Sequence, residues 1–207
     1  MNPAVPSTPT VPPRERILIA ADDLFRRQGI RGVGVEAIAE AAGTNKMTLY
    51  RHFESKDELV AEWVRGVIAE KDAVWDEIIA RHPNDPKAQL VDWSQATAEK
   101  FGQMEERGSA LLNALAELPE VDHPARRVID EHRQREHARI LTICRDAGFP
   151  DPELAADQFF FLLEGAKSCV FCIGMKRVGE HLEKLVATLV ASSTSSKASK
   201  TPAKRGR

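Results

Sequence analysis

Apolar positions in this chain recur at helical spacing from residue 14 to about residue 191, and no stretch of useful length alternates with the two-residue period of a strand. In RERILIAADDLFRRQG (14–29), Ile17, Ala20, Ala21, Leu24 and Phe25 fall on one face, and Gly29 stands where a helix stops. VEAIAEAAG (35–43) predicts a short second helix with Ile38, Ala39 and Ala42 inward and Gly43 at its end. Asn45 is placed to cap a third helix of about seven residues, with Leu49 facing the core. Ser55-Lys56-Asp57-Glu58 spells an S-x-x-E capping box and opens a fourth helix that runs to about Arg81. Asp85-Pro86 starts a fifth, and Gly108 and Pro119 bracket a sixth. A seventh runs from Pro124 to Gly148, an eighth from Asp151-Pro152 to about residue 173, and a ninth from Gly174 to near Ala191. The predicted class is all-α, with about nine helices and no internal repeat.

Two of these elements carry more than a fold. In LAADQFFFLLEGAKSCVFCIG (154–174) apolar residues lie on more than one face, whereas the ninth helix has one stripe of Val178, Leu182, Leu185, Val186 and Leu189. A helix apolar on several sides is buried on several sides. Either one face packs at home and another on a partner subunit, or the eighth helix is the central core helix of a monomer.

The short third helix raises the question of chemistry. A helix, a turn at Gly43 and a second helix of about seven residues form a helix-turn-helix pattern. With Leu49 inward, Lys46, Met47, Thr48, Tyr50 and His52 are candidates for the outer surface. Lys and Thr donate to base edges or phosphates, and a Tyr hydroxyl reaches a phosphate while its ring packs on the scaffold. Lys56 sits in the first turn of the fourth helix, where backbone N–H groups already favour an anion. The bland alternative is a helical hairpin with a solvated polar face.

Residues 14–59 resemble the N-terminal domain of the TetR family of bacterial transcriptional regulators. The resemblance rests on Ile17, Ala20, Ala21, Leu24, Phe25 and Gly29, on Ile38-Ala39-x-x-Ala42-Gly43, on Thr48-Leu49-Tyr50-Arg51-His52-Phe53, and on Ser55-Lys56-x-x-Leu59. It implies a helix-turn-helix DNA-binding domain over 14–59, followed by a helical ligand-binding and dimerisation domain over 60–191. It further implies a homodimer joined through the last two long helices, with each third helix in a major groove of a palindromic double-stranded operator. By the same resemblance Lys46, Met47 and Thr48 read bases or nearby phosphates, and Tyr50, His52 and Lys56 grip the backbone. Four positions depart from the family pattern. Gly34 stands where Thr or Ser often caps the second helix, Glu36 where Arg is common, and Thr44-Asn45 where Val-Ser is usual. An acidic side chain at 36 repels phosphates or accepts from a cytosine amino group.

The resemblance also implies a pocket among the fourth to eighth helices for a small effector that releases a repressor from DNA. Polar groups on otherwise apolar faces mark its candidates: Asn113 and Glu117, His132 and Glu136, Gln158 and Glu164, with Trp93 and Phe101 as aromatic walls. Such walls suit a hydrophobic or amphipathic molecule. Two other readings stand beside this one. The first is a DNA-bound structural or partner-binding protein without an effector. The second is a redox sensor working through Cys169 and Cys172, although a lone C-x-x-C on an apolar helix reads more simply as two small buried residues.

Composition narrows the setting. Hydrophobic residues make up 43% of 207, enough for a core, and the formal charge of -2 permits a local basic patch without announcing one. Three cysteines suit a reducing compartment. No apolar run approaches the ~20 residues that span a bilayer, and residues 1 onward lack a signal-peptide pattern. A cytoplasmic protein is expected, with no cofactor and no metal. Nucleophile–base motifs and phosphate loops are absent from the sequence, so an enzyme is not expected. The Pro-rich segment 1–13 and the Ser-rich basic segment 192–207 are expected to be disordered tails; Lys197, Lys200, Lys204, Arg205 and Arg207 add loose phosphate attraction or simply solubility.

Overall fold

The computed structural model describes residues 11–102 and 108–195, and the expected tails lie almost wholly outside that range. Among the described residues there are nine α-helices and no strand: α1 (Pro13–Gln28), α2 (Val35–Ala41), α3 (Lys46–His52), α4 (Lys56–Arg81), α5 (Pro86–Gly102), α6 (Ala110–Glu117), α7 (Pro124–Asp146), α8 (Pro152–Ile173) and α9 (Met175–Ser195). Pro13 therefore starts α1, and α9 continues to Ser195, past the expected end near Ala191.

The helix starts are where polar caps put them. Asn45 Oδ1 accepts from the Thr48 N–H (2.9 Å), Asp85 Oδ1 from Ala88 (2.9 Å) and Asp151 Oδ1 from Leu154 (3.0 Å). At α4, Ser55 Oγ accepts from the Glu58 N–H (3.1 Å), while the Glu58 carboxylate takes the Arg65 guanidinium (3.1 Å). Only the serine half of the predicted capping box is built, because Glu58 finds a cation seven residues on.

The chain forms two compact units. Of the described residues, the first takes 11–67 with 110–129, and the second 68–102, 108–109 and 130–195, so each unit takes part of α4 and part of α7. In the first, α1, α2 and α3 pack on one another. Its core holds Ile17, Ala21, Phe25, Ile38, Ala39, Leu49, Phe53 and Leu59. Ala39 and Ala42 are buried where the crossing of α2 and α3 needs small side chains. Trp63 lies edge-on to Phe25 (centroids 5.2 Å) and its indole N–H donates to Asp22 Oδ1 (2.7 Å), so the aromatic is buried without stranding its donor. Gly43 has φ +61°, a left-handed turn that a side chain would strain.

The second unit is a helical core of Trp75, Trp93, Phe101, Ile140, Phe159, Leu163 and Leu182, with Trp75 and Trp93 stacked at 5.3 Å. Its tightest pairing is α5 on α9, where a Cβ at Gly179 would stand 3.1 Å from that of Ala98. Val178, Leu182 and Val186 of the predicted α9 stripe are buried, but Leu185 is exposed, off the stripe by one position. On α8 the inner face is Ala155, Ala156, Phe159, Leu163 and Val170. Its outer row is Leu154, Gln158, Phe161, Gly165, Ser168 and Cys172, with Phe161 70% exposed. The two-faced pattern of α8 is thus real, and one apolar face is uncovered in the single chain.

Candidate nucleic-acid interface

Seven residues make α3, and Leu49 alone of them is buried. Full burial of that leucine contributes about 1.5–3 kcal/mol and fixes the roll of the helix. The roll turns Lys46, Met47, Tyr50, Arg51 and His52 outward, with Met47 76% exposed, and leaves Thr48 half-buried. Of the six positions predicted to meet DNA, Lys46, Met47, Tyr50 and His52 are on this outer face. Arg51 joins them; the motif's own regularity hid it, since it reads as an ordinary basic residue near a helix end.

Lys46 is not a free cation. Its ammonium donates to Glu36 Oε1 on α2 (2.6 Å) and lies 5.9 Å from the centre of the Tyr50 ring. The hydrogen bond from Lys46 holds the Glu36 carboxyl below its usual range, and the same bond raises Lys46. Both groups are exposed, so salt screens the pair. At the start of α2, Gly34 is an extended N-cap with no side-chain cap bond, as its lack of a hydroxyl dictates.

Lys56 is also engaged. Its ammonium donates to the Ile30 carbonyl (2.6 Å), and partial burial lowers its pKa. It borders a cleft of ≈ 460 Å³ whose lining includes Arg31, Asp57, Glu117, Glu120 and His123. There the Arg31 N–H donates to Glu117 Oε2 (2.9 Å), and His123 Nε2 stands 3.4 Å from Asp57 Oδ1. Glu117, expected as an effector contact, instead ties the α1–α2 loop to the end of α6, and Asn113 sits in this same first unit.

The other expected effector residues fall in the second unit. Trp93 and Phe101 are buried in its core, and His132 and Glu136 are buried one turn apart on α7. Glu164 Oε1 accepts from Lys167 (2.6 Å) and its Oε2 from Arg133 (3.1 Å). Gln158 is exposed on the outer row of α8, away from this cluster. The sequence reading missed Lys71 and Lys167, both drawn into this unit. Cys169 and Cys172, read as buried, are exposed, because their positions fall on the outer side of α8; Cys144 is the buried thiol, pushed up to about 12. Among the described residues no cluster of three or more His, Cys, Asp or Glu is arranged to hold a metal, and no helix is long and apolar enough to cross a membrane.

Comparison with known proteins fits this geometry. A family model described as bacterial regulatory proteins, tetR family, matches residues 17–63. The transcriptional repressor KstR2 of Mycolicibacterium smegmatis is 37% identical over 175 residues, covering 75% of this chain and 77% of that one. KstR2 of Rhodococcus jostii is 39% identical over 67 residues, 32% of this chain and 33% of the relative. In several other curated relatives too, the match spans a third or less of their length. The crystal structure of SCO4454, a TetR-family transcriptional regulator from Streptomyces coelicolor, superposes with a TM-score of 0.80 at 25% identity, covering 87% of this chain and 95% of that chain.

Proposed function

Because the chain belongs to the TetR family of bacterial regulatory proteins, we propose that this transcriptional regulator is a repressor that binds a palindromic operator as a homodimer and leaves it when a small amphipathic effector binds. The observation that carries the DNA-binding part is α3 itself: a capped, seven-residue helix pinned by Leu49, with Lys46, Met47, Tyr50, Arg51 and His52 outward. Thr48 reads the sequence with Lys46 and Met47, while Tyr50, His52 and Lys56 hold phosphates. Lys56 exchanges its Ile30 carbonyl for a phosphate oxygen when it does so.

The dimer reading is supported by the outer row of α8. Leu154 and Phe161 are exposed there, and Gly165 has open space beside it, which lets a second helix approach closely. Together with Leu185 of α9 they form the face for the partner copy. Gln158 belongs to that face rather than to the effector site. The effector acts by preferring the conformation whose two DNA-binding domains cannot reach both half-sites.

Selection of bound duplexes from a random pool at fixed salt tests this reading. An enriched palindrome with half-sites about one helical turn apart is expected. Salt-sensitive binding without a preferred sequence would sink it. A reporter that rises rather than falls when the protein is supplied would reverse the sign of regulation.

A further inference from the structure

His132 is 3% exposed, and neither of its ring nitrogens has a hydrogen-bond partner. A buried imidazole is costly unless a polar group stands beside it, so this position is suited to one. The nearest carboxylate, Glu136 Oε2, stands 3.9 Å from Nε2, beyond hydrogen-bond length. Around it the charges do not balance. Lys71 from α4 faces Lys167 of α8 and Lys100 of α5, with Glu136 of α7 and Glu164 of α8 as the opposing carboxylates. Glu164 is already shared between Lys167 and Arg133, and Asp72, beside Lys71, is taken by Arg139 (3.2 Å). Lys100 is exposed, so among the described residues the charges drawn inward are Lys71, Lys167 and Arg133 against Glu136 and Glu164.

We propose that Lys71, His132 and Lys167, gathered from three helices of the second unit, are the head-group site for an effector with a carboxylate on an apolar body. This rests on the regulator reading above and names the chemistry of its effector. The carboxylate supplies the missing negative charge to Lys71 and accepts from a ring N–H of His132. Stacked Trp75 and Trp93, with Phe101, Phe159 and Leu163, form the packed apolar core of this unit, part of which an apolar body must displace on entering. A neutral alcohol of equal length satisfies the imidazole and brings no charge to Lys71.

Two properties agree with an anion site at this place. Burial pushes the Lys71 ammonium down to about 8, with Lys167 and Lys100 adding to the shift and Glu136 and Glu164 opposing it. Burial also lowers His132, against the pull of Glu136 and Asp72, so the ring is neutral near pH 7 and has one N–H to give and one lone pair.

The test uses the full-length protein, straight-chain carboxylates of graded length, and the primary alcohols of the same lengths. Thermal melting and displacement from the selected operator duplex are read together. At least one carboxylate is expected to bind about 10-fold or more tighter than its alcohol, the difference a charge-assisted hydrogen bond makes. Lys71→Met is expected to erase that preference while raising the melting temperature of the free protein, because a half-buried cation beside Lys167 is removed. No carboxylate response at any length, equal response to acid and alcohol, or a lowered melting temperature in Lys71→Met would each overturn the inference. Operator binding in the untreated protein reports on the regulator reading separately. If it persists while carboxylates do nothing, the head-group assignment alone has failed.

Discussion

Glu36→Gln isolates an acidic side chain paired with the proposed DNA-contacting helix, α3. In the free protein its carboxylate neutralises Lys46 across 2.6 Å, leaving Arg51 and His52 as the basic groups of α3 without that pairing. Glutamine keeps the length and can still accept from Lys46, but it carries no charge to hold the ammonium against a phosphate. Every further phosphate neutralised by a lysine steepens the dependence of log K on log salt by about 0.9, and a dimer with two α3 helices doubles that to about 1.8. Between about 50 and about 200 mM salt, the variant should then lose about 12-fold more affinity than the parent. At low salt it should bind both operator and unrelated duplex more tightly, so the ratio between them falls. Fluorescence anisotropy on the two duplexes across that salt range reads both quantities. An unchanged slope on both would show that Lys46 leaves Glu36 for DNA anyway. A slope change near 0.9 would indicate one DNA-bound protomer rather than two.

Four further outcomes follow from the same structure. Leu49→Ala should cost about 2–5 kcal/mol in urea unfolding of the first unit's core and abolish operator binding; full stability with operator binding retained would mean that the leucine does not set the roll of α3. Tyr50→Phe should weaken binding to every duplex alike, whereas Thr48→Ala should change which operator is preferred, as measured by competition among single-base variants. Phe161→Asp should turn a dimer into a monomer in sedimentation, and an unchanged mass would remove the outer row of α8 from the interface. Lys71 titrates at about 8 when folded and at 10.5 in its unperturbed form. Between those values the unfolded chain binds more protons, so stability should rise with pH by up to about 1.4 kcal/mol per unit, and Lys71→Met should lose that rise.

The nine helices were legible because their ends are punctuated by caps, prolines and glycines that act locally: Asn45, Asp85 and Asp151 accept the N–H bonds their positions foretold. The outward face of α3 was legible for the same reason, since one leucine fixes the rest. The pairings were not. Glu58 turned to Arg65, Glu117 to Arg31 and Lys46 to Glu36, each a choice among partners that only the fold brings near. Periodicity also misplaced Cys169, Cys172 and Leu185, because an apolar or small residue on a two-faced helix carries no label saying which face is home. Lys71 and Lys167 escaped notice because a lysine on a helix normally signals solvent, whereas Lys167 is buried and Lys71 half-buried.

The single buried anchor of α3 has a consequence for how such regulators diverge. Stability is vested in Leu49 and the Asn45 cap, so substitutions at 46, 47, 50, 51 and 52 change what the helix meets without touching what holds it. A gene duplicate of this protein can therefore drift to a new operator through viable intermediates, one outward side chain at a time. The head-group site proposed above is spared by such changes, because Lys71, His132 and Lys167 lie in the other compact unit.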